Sequence, residues 1–476
     1  MRKRLVLVAI LVLLLAPVAL FATSASEQGS DLQEIDAIFD RILLPENGQD
    51  EWAAAFQDLT GVQINIVKPE HNQYSEILGV AFATGDLPDL VELQTADYVP
   101  YATSGRLVPL DAYIAASAEV ANVRPDLVEA YRLKDGHIYA FPTYDGGGCV
   151  TYMRQDWLDN LGLDIPTTWD DFHEVLQAFT FDDPDGNGQD DTIGMTLPFS
   201  VPADEFDYYN RMIMQDAWFG FQYKDGEWVD GFSEPEMVGA LQRFQDLYEE
   251  GVIDQEFFSN ATSAARTKIY EGQAGVMEYW SGTWGERMDA SAKAANPNAE
   301  VIAIPPVGDA FYINRVGPCF AITTAADNPG AIFDAFINTM LDRGEGQALF
   351  THGVLGLHYA LQDGQYVMLP EPSNPDRPFD KAYSDPTLVI NGWTPLVASS
   401  PRIVRSREVQ VDNAVQLRLP EGGDLYIRYV GELNTLKQEI FAAIVTGSMT
   451  VSEGLAAYRD GAANLHIDEI VAELNG

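Results

Sequence analysis

The sequence predicts an α/β protein with at least two lobes, on three observations. Strand-like and helix-like segments alternate along the chain, which is typical of α/β folds. The 476 residues are too many for one hydrophobic core, since chains usually divide into domains beyond roughly 250–300 residues. The sequence shows no internal repeat or low-complexity segment, so a repeat architecture is not expected.

Each predicted element follows from a local pattern. Residues 62–67 alternate between apolar and polar like a strand, and residues 90–93 form a shorter one. Residues 169–179 carry apolar side chains at helical spacing and follow Thr168, a residue type that favours the N-cap. Two further helices are predicted over residues 235–250 and 425–445. Hairpin turns are predicted at the Asp-Gly pairs 135–136, 225–226 and 363–364.

The first 25 residues predict export. A basic head at 2–4 precedes an apolar run at 5–21 and small residues at 22–25, an order typical of a secretory signal peptide over residues 1–25. The alternative is an uncleaved anchor, which the shortness of the apolar run disfavours. Because the first cysteine is Cys149, no lipid attachment is expected at the cleavage point. We expect a secreted protein, periplasmic or on the extracellular face of the cell membrane.

The net charge narrows the choice of partners. It is −44, from 72 acidic against 28 basic residues, and such a surface repels nucleic acid and anionic lipid. A strongly anionic ligand is also disfavoured unless a local basic pocket exists. The alternative reason for the charge is solvation in saline surroundings, and the sequence leaves both explanations open.

No catalytic motif stands out, so we do not expect an enzyme. The six histidines lack an HExxH pattern, and neither GxSxG nor a Walker loop occurs. The rival functions are a polysaccharide-active glycosidase or lyase using paired carboxylates, and a calcium-dependent surface module. Chance carboxylate pairs are expected in so acidic a chain, so their presence decides little.

Residues 183–191 predict a calcium site. They read D-x-D-x-N-G-x-x-D, the first nine positions of an EF-hand-type loop. The predicted ligands are Asp183, Asp185, Asn187, the backbone carbonyl of Gln189, and Asp191. Gly194 stands at the twelfth position in place of the usual Glu. The alternative is an Asx-turn loop without metal, but clustered carboxylates repel one another unless neutralised, so a structural Ca²⁺ is favoured.

A series of short strings carries a family resemblance. In order they are GDLPDL at 85–90, SGRLVPLD at 104–111, GHIYAFP at 136–142, YMRQDWL at 152–158 and PTTWDDF at 166–172. This succession, over roughly residues 60–300, resembles the extracellular solute-binding proteins of sugar ABC importers. That class includes maltose-binding protein, and the similarity is greater to its LipO-type and alginate-binding branch.

The resemblance implies a class II periplasmic-binding-protein-like fold with two discontinuous α/β lobes and a cleft at the hinge. The implied N-terminal lobe comprises residues 31–145 and about 318–352, and the C-terminal lobe comprises 150–316 and about 356–476. The chain would cross between lobes near 144–149, 317–320 and 351–358. Cys149 and Cys319 fall at two of these crossings. They form either a hinge disulfide or two buried free thiols.

The resemblance also implies the function. The chain would bind a sugar or oligosaccharide between its lobes and deliver it, as a monomer, to the transmembrane subunits of an ABC permease. A peptide or polyamine in the same cleft remains the alternative. The composition of 8 Trp and 21 Tyr supports a sugar, because flat aromatic faces cover the C–H faces of a pyranose and carboxylates bind its hydroxyls.

Seven residues are candidate ligand contacts: Asp97, Tyr98, Tyr144, Asp145, Trp280, Trp284 and Trp393. Asp97 matches a ligand-contacting loop position in the family, and its alternative role is the N-cap of a helix at 98–104. Trp280 and Trp284 follow a predicted strand, and one contact, preferably from Trp284, is expected. Tyr144 and Asp145 lie at the first crossing, where turn formation is the alternative. Trp393 lies in a Gly- and Pro-flanked loop.

Overall fold

Two β-sheets organise the chain into two α/β lobes, which confirms the predicted fold class. The computed structural model describes residues 32–70, 73–143, 146–201, 203–378, 391–392 and 400–476. The predicted signal peptide at 1–25 therefore lies outside the described residues. Within the described ranges, no helix combines the length and apolar character needed to cross a bilayer.

The secondary structure follows in chain order. The strands are β1 Glu34–Ile38, β2 Gln63–Val67, β3 Leu90–Leu93, β4 Phe141–Pro142, β5 Cys149–Arg154, β6 Ile193–Met195, β7 Phe221–Lys224, β8 Glu227–Asp230, β9 Ala274–Trp280, β10 Val301–Ile304, β11 Tyr312–Asn314, β12 Cys319–Ile322, β13 Tyr359–Gln362, β14 Gln365–Met368, β15 Pro370–Glu371, β16 Asn374–Pro378 and β17 Ala414–Gln416. The helices are α1 Gln49–Thr60, α2 Tyr74–Thr84, α3 Thr95–Thr103, α4 Asp111–Ala116, α5 Pro125–Glu129, α6 Gln155–Leu161, α7 Trp169–Phe181, α8 Arg211–Met214, α9 Glu236–Glu249, α10 Thr262–Tyr270, α11 Thr283–Ala295, α12 Pro329–Ile332, α13 Glu345–His352, α14 Pro401–Asp412, α15 Asp424–Val445, α16 Val451–Asn464 and α17 Ile467–Asn475.

The N-terminal lobe is built on a five-stranded sheet in the order β2-β1-β3-β12-β4. Strands β1, β2 and β3 are parallel, and β12 runs antiparallel to both β3 and β4. All four residues of β3 are buried, as expected of a central strand covered on both faces. An aromatic cluster of Trp52, Phe56, Phe336 and Phe350 packs beneath it.

The C-terminal lobe is built on a four-stranded sheet in the order β10-β5-β9-β6. The predicted N-cap is confirmed, because the Thr168 side chain accepts a hydrogen bond from the Asp171 N–H within a capping box. The predicted helices at 235–250 and 425–445 correspond to α9 and α15. Their apolar faces pack together in one core, because residues spaced three and four apart share a helix face.

The predicted hairpins at 225–226 and 363–364 are confirmed as the turns that join β7 to β8 and β13 to β14. The turn at 135–136 carries an additional contact between the lobes. The Lys134 N–H donates to both carboxylate oxygens of Glu421 at 3.1 and 2.9 Å. The Lys134 ammonium donates to the Glu473 carbonyl at 3.0 Å. These hydrogen bonds connect the N-terminal lobe to the segment before α15 and to the last helix.

The chain leaves the N-terminal sheet after β4 and enters the C-terminal sheet at β5; it returns between β11 and β12. The third passage differs from the expectation. The described residues at 353–378 and 391–392 stay on the N-terminal lobe, since the His358 ring contacts the Asn47 carbonyl at 2.6 Å and Asn391 contacts Gln347. Helix α14 instead packs on the C-terminal lobe, where Arg402 donates to the Val301 carbonyl.

The third crossing predicted at 351–358 is therefore wrong, because the described residues after it, up to residue 378 and at 391–392, are still on the N-terminal lobe. The physical reason is the buried side chain of His358, which receives the Val354 N–H on Nδ1 and contacts Asn47 through Nε2. These bonds fold the chain back onto the lobe it was expected to leave. No sequence periodicity reports such a contact, because its partners are 311 residues apart.

The hinge disulfide hypothesis is also wrong. Cys149 and Cys319 are buried free thiols. Cys149 lies opposite Trp280 in the C-terminal sheet, whereas Cys319 lies opposite Leu93 in the N-terminal sheet. The two thiols thus belong to different sheets. Burial raises the pKa of both, so they behave as small apolar side chains.

Candidate functional site

The hinge segments touch backbone to backbone. A Cβ atom at Gly146 would lie 1.8 Å from the Arg315 carbonyl oxygen, and one at Gly148 would lie 1.9 Å from that of Ile313. The Arg315 N–H donates to the Gly147 carbonyl at 3.0 Å. Only glycine leaves room for this approach, so the GGG sequence positions two of the segments that join the lobes.

A polar cluster lies where the parallel strands of the N-terminal lobe end. We call Asp40, Arg41, Lys68 and Gln94 the strand-end cluster, because each lies within three residues after the end of β1, β2 or β3. The Lys68 ammonium donates to the Asp40 carbonyl, and the Gln94 amide donates to the Asp40 carboxylate, both at 2.7 Å. Open α/β sheets bind ligands at the carboxyl ends of their strands. The sequence analysis missed this cluster, although Lys68 and Gln94 directly follow its predicted strands.

Asp97 lies beside that cluster, in the first turn of α3. Its carboxylate faces the Gln94 N–H, and burial raises its pKa to about 6. Its Oδ2 atom is buried and makes no hydrogen bond with a described residue. The helix begins at Thr95 rather than at 98, so Asp97 is not the N-cap residue. It remains a predicted ligand contact.

Tyr98 lies in the core of the N-terminal lobe, which argues against the ligand contact predicted for it. It is 0% exposed, its hydroxyl donates to the Tyr131 carbonyl, and that hydroxyl accepts the Tyr139 N–H at 3.2 Å. One step along a helix turns a side chain by about 100°. Hence Tyr98 points into the core of the lobe while Asp97 remains at its edge.

Trp280 ends β9 beside the hinge and is part of an aromatic wall, which we define as Tyr208, Tyr209 and Trp280. The ring centroids of Tyr208 and Tyr209 lie 5.7 and 5.9 Å from that of Trp280. The guanidinium of Arg315 lies over the indole at 4.3 Å, a cation–π contact. Trp280 is only partly buried. Sequence reasoning missed the two tyrosines, whose only signal was their adjacency.

Trp284 is packed differently, in the first turn of α11. Tyr279 meets its ring edge-on at 4.7 Å. Arg266 and Arg287 lie over the ring at 4.8 and 5.0 Å. Arg315 covers the Trp280 indole in the same way, so the cation–π contacts do not separate the two residues. Trp280 differs in lying beside the hinge, which favours it as the aromatic side chain for a ligand. The other three candidates, Tyr144, Asp145 and Trp393, lie outside the described residues.

The predicted calcium loop lies between α7 and β6 of the C-terminal lobe. The Asn187 amide donates to Asp185 at 2.9 Å and to Asp191 at 3.2 Å, and the Gly188 N–H donates to Asp183 at 3.0 Å. No group of three acidic, histidine or cysteine side chains in the described part of the chain is arranged to hold a metal ion.

The loop nevertheless fits a hard cation chemically. The Oδ1 atom of Asp183 is buried without a hydrogen-bond partner among the described residues. The Asn187 amide nitrogen faces two carboxylates while its oxygen accepts the Gln189 N–H at 2.7 Å, so ligation through that oxygen requires the side chain to rotate and give up this bond. All the side-chain donors are then oxygens, the ligand type that Ca²⁺ prefers.

Two lobes, a glycine hinge, and polar and aromatic groups beside it define a two-lobed binding protein. The chain belongs to the family of bacterial extracellular solute-binding proteins, whose family model matches residues 31–347.

Relatives and solved structures agree with this assignment. Lipoprotein LipO of Bacillus subtilis (strain 168) is 26% identical over 387 residues, 78% of this chain and 76% of that protein. The fructooligosaccharide ABC transporter substrate-binding protein FusA of Streptococcus pneumoniae serotype 4 is 28% identical over 246 residues, 46% of this chain and 44% of that protein.

Three solved structures share the fold. Alginate-binding protein AlgQ2 without calcium ion has a TM-score of 0.65 at 20% identity, covering 94% of this chain and 98% of that one. A human-milk-oligosaccharide (HMO) binding protein of Bifidobacterium longum infantis has a TM-score of 0.69 at 18% identity, covering 93% and 98%. An EF-hand mutant of FusA in complex with fructo-nystose has a TM-score of 0.66 at 17% identity, covering 93% and 98%.

Proposed function

We propose that this protein is the substrate-binding component of an ABC importer. It binds a sugar or oligosaccharide between its lobes and releases it unchanged to the transmembrane subunits of the permease. The observation that carries the proposal is that the aromatic wall and the strand-end cluster both lie beside one hinge segment. Arg315 covers Trp280 of the aromatic wall, and Thr95, which follows Gln94 of the strand-end cluster, donates to the Val316 carbonyl. An indole face supports a sugar ring, while amide and charged groups bind its hydroxyls.

The named ligands of similar proteins support a carbohydrate. FusA is named for fructooligosaccharides, and structural neighbours bind alginate or human milk oligosaccharides. Within the site we assign ligand contact to Asp97 and Trp280. We keep Tyr144, Asp145 and Trp393 as predicted contacts. Trp284 has a secondary place, because Trp280 contacts the hinge residue Arg315 whereas Trp284 packs against Arg266 and Arg287 of its own lobe.

A structural calcium ion completes the proposal. Asp183, Asp185, Asn187, Asp191 and the backbone carbonyl of Gln189 would hold it, which fixes the loop between α7 and β6. Neutralisation of the clustered carboxylates would supply the stabilisation. We further propose that the protein is exported by its N-terminal segment, carries no N-terminal lipid and acts as a monomer.

A thermal-shift screen tests the function. The purified mature protein is heated with kestose, nystose, alginate trimers, trigalacturonic acid or milk oligosaccharides, and with a tripeptide and spermidine as non-sugar probes. A saccharide at 100 times its Kd stabilises the folded state by about 2.7 kcal/mol, which raises Tm. Chromatography of the incubated sugar checks that it is unchanged. Stabilisation by spermidine or the peptide alone, or release of cleaved sugar, would overturn the proposal.

A further inference from the structure

Glu92 is an acidic residue inside an otherwise apolar strand. It lies in β3 between Val91 and Leu93 and is 0% exposed. Its Oε2 atom accepts the backbone N–H groups of Asp40 at 3.0 Å and Arg41 at 2.7 Å. These two residues follow β1 and belong to the strand-end cluster. A single buried carboxylate therefore fixes the chain as it leaves β1.

The second oxygen of Glu92 faces a small cavity. Oε1 is buried and makes no hydrogen bond with a described residue, and the Arg41 Nε lies 3.8 Å away. The cavity has a volume of about 20 Å³ and is lined by Glu92, Arg41 and Thr143 among apolar side chains. That volume has room for one water molecule.

Retaining a carboxylate here opposes folding. Burial raises the pKa of Glu92 to about 7, although the Arg41 guanidinium and the two N–H groups favour its charged form. An apolar side chain of similar volume at a buried ionic position is often neutral or stabilising. Buried groups with displaced pKa values cluster at functional sites. Glu92 lies directly beneath the strand-end cluster, so its carboxylate can affect the geometry of that cluster.

We propose that Glu92 is the positioning residue for the N-terminal half of the ligand site. Through the Asp40 and Arg41 N–H groups it holds the turn after β1. That turn presents the Asp40 carboxylate to the Gln94 amide and keeps the Arg41 Nε 3.8 Å from Glu92 Oε1. The inference rests on the proposed function for its binding consequence, but not for its structural one.

The charge state of Glu92 affects the turn after β1 through the hydrogen bonds from the Asp40 and Arg41 N–H groups. It is surrounded by Asp40 and Arg41 after β1, Tyr74 of α2, Asp97 of α3 and Cys319 of β12. The ionised carboxylate accepts N–H groups more strongly than the neutral acid. The turn after β1 is therefore held more firmly as pH rises through 7, and saccharide affinity should increase in that direction.

Three variants test the assignment. Glu92→Gln keeps one acceptor for both N–H groups but removes the charge, Glu92→Leu removes both, and Glu76→Gln changes an exposed acid on α2 as the control. Hydrogen exchange followed by mass spectrometry reports the amides of residues 40–41. Tm at pH 8 reports stability. Calorimetry at pH 6 and 8 reports affinity, with kestose and trigalacturonic acid as probes.

We expect amide exchange at 40–41 to rise at least tenfold in Glu92→Leu, and saccharide affinity to fall at least tenfold. Glu92→Gln should keep or raise Tm at pH 8 while weakening binding and flattening its pH dependence. Glu76→Gln should match the wild type. Unchanged exchange in Glu92→Leu overturns the proposal, as does a parallel loss of Tm and affinity in Glu92→Gln, which indicates a structural role only. If the wild-type protein binds neither probe, the exchange and Tm results still decide the positioning role.

Discussion

The guanidinium of Arg315 lies over the indole ring of Trp280, with 4.3 Å between Cζ and the ring centroid. Arg315 belongs to one hinge segment, where its Nε donates to the Gly146 carbonyl of the other at 2.9 Å. Trp280 ends a strand of the C-terminal sheet. The contact joins the hinge to the aromatic wall, so a change of hinge angle alters the surroundings of this indole.

Replacement of Trp280 by Ala should weaken saccharide binding by about tenfold, since aromatic stacking contributes about 0.5–1.5 kcal/mol beyond area burial. Trp280→Phe should retain most of the affinity, because it keeps a flat ring. Calorimetry with the best saccharide of the thermal-shift screen measures both, and Trp284→Phe serves as the control. Equal losses in Trp280→Ala and Trp280→Phe would contradict a stacking role.

Replacement of Gly148 by Ala should destabilise the protein by about 1–3 kcal/mol, the usual range for an overpacked site. Its Cβ would meet the Ile313 carbonyl at 1.9 Å. Urea unfolding measures the loss. Gly431→Ala is the matched control, because no heavy atom lies within 4 Å of its Cβ inside α15. That substitution should instead stabilise by up to about 1 kcal/mol. Equal effects at the two positions would argue against close hinge contact.

Calcium should raise the Tm of protein first treated with EDTA. At a free calcium concentration 100 times its Kd, the free energy of unfolding should rise by about 2.7 kcal/mol. Asp185→Asn should reduce that gain, whereas Asp190→Asn should leave it intact, because the Asp190 carboxylate is not among the predicted ligands. Magnesium at equal ionic strength controls for screening of the −44 charge. A gain that magnesium reproduces, or that both variants lose equally, would disprove a specific calcium loop.

Lys437→Met should destabilise the C-terminal lobe by about 3–5 kcal/mol, the usual result of breaking a buried ion pair. The Lys437 ammonium lies 2.6 Å from the Asp230 carboxylate, with side-chain exposures of 0% and 4%. Removing the ammonium leaves the Asp230 carboxylate buried without its cationic partner. Adding Asp230→Asn to Lys437→Met should recover part of the loss. Urea unfolding of both variants checks this, and a single variant within 1 kcal/mol of wild type would refute it.

Glu278 predicts a pH dependence of stability. Burial raises its pKa from 4.5 to about 7, against the opposing N–H groups of Met212 and Arg211. Because the folded pKa exceeds the unfolded one, the folded state binds more protons between about pH 4.5 and 7, and the contribution of Glu278 to stability falls as pH rises through that window. The difference between the Tm of Glu278→Gln and that of the wild type should therefore become more positive from pH 5 to pH 8. A Tm difference independent of pH would contradict this.

Local patterns predicted local structure well. The N-cap at Thr168 and the helices α9 and α15 required only spacing and residue type, because caps and amphipathic faces are set by neighbours in the sequence. Asp97 and Tyr98 show the limit. Their adjacency suggested a shared role, yet the helix turns one of them into the core. A prediction for such a pair requires the helix boundary to within one residue.

Contacts between distant segments were not predictable in the same way. The bond between His358 and Asn47 decides where the third passage falls, and Glu92 positions residues that are about 50 positions away. Neither partner carries a pattern that reports the other. Similarly, the choice between Trp280 and Trp284 depends on which ring lies beside the hinge, and residue types alone do not determine this.

The contact between Lys134 and Glu421 affects how freely the lobes can move. It is a solvent-exposed hydrogen bond, so its net contribution to the free energy is about 0.5–1.5 kcal/mol, which is close to thermal energy. When the lobes part, water takes the place of the lost partner at little net expense. This hydrogen bond therefore favours one separation of the lobes only weakly. Ligand binding between the lobes then determines which separation is most populated.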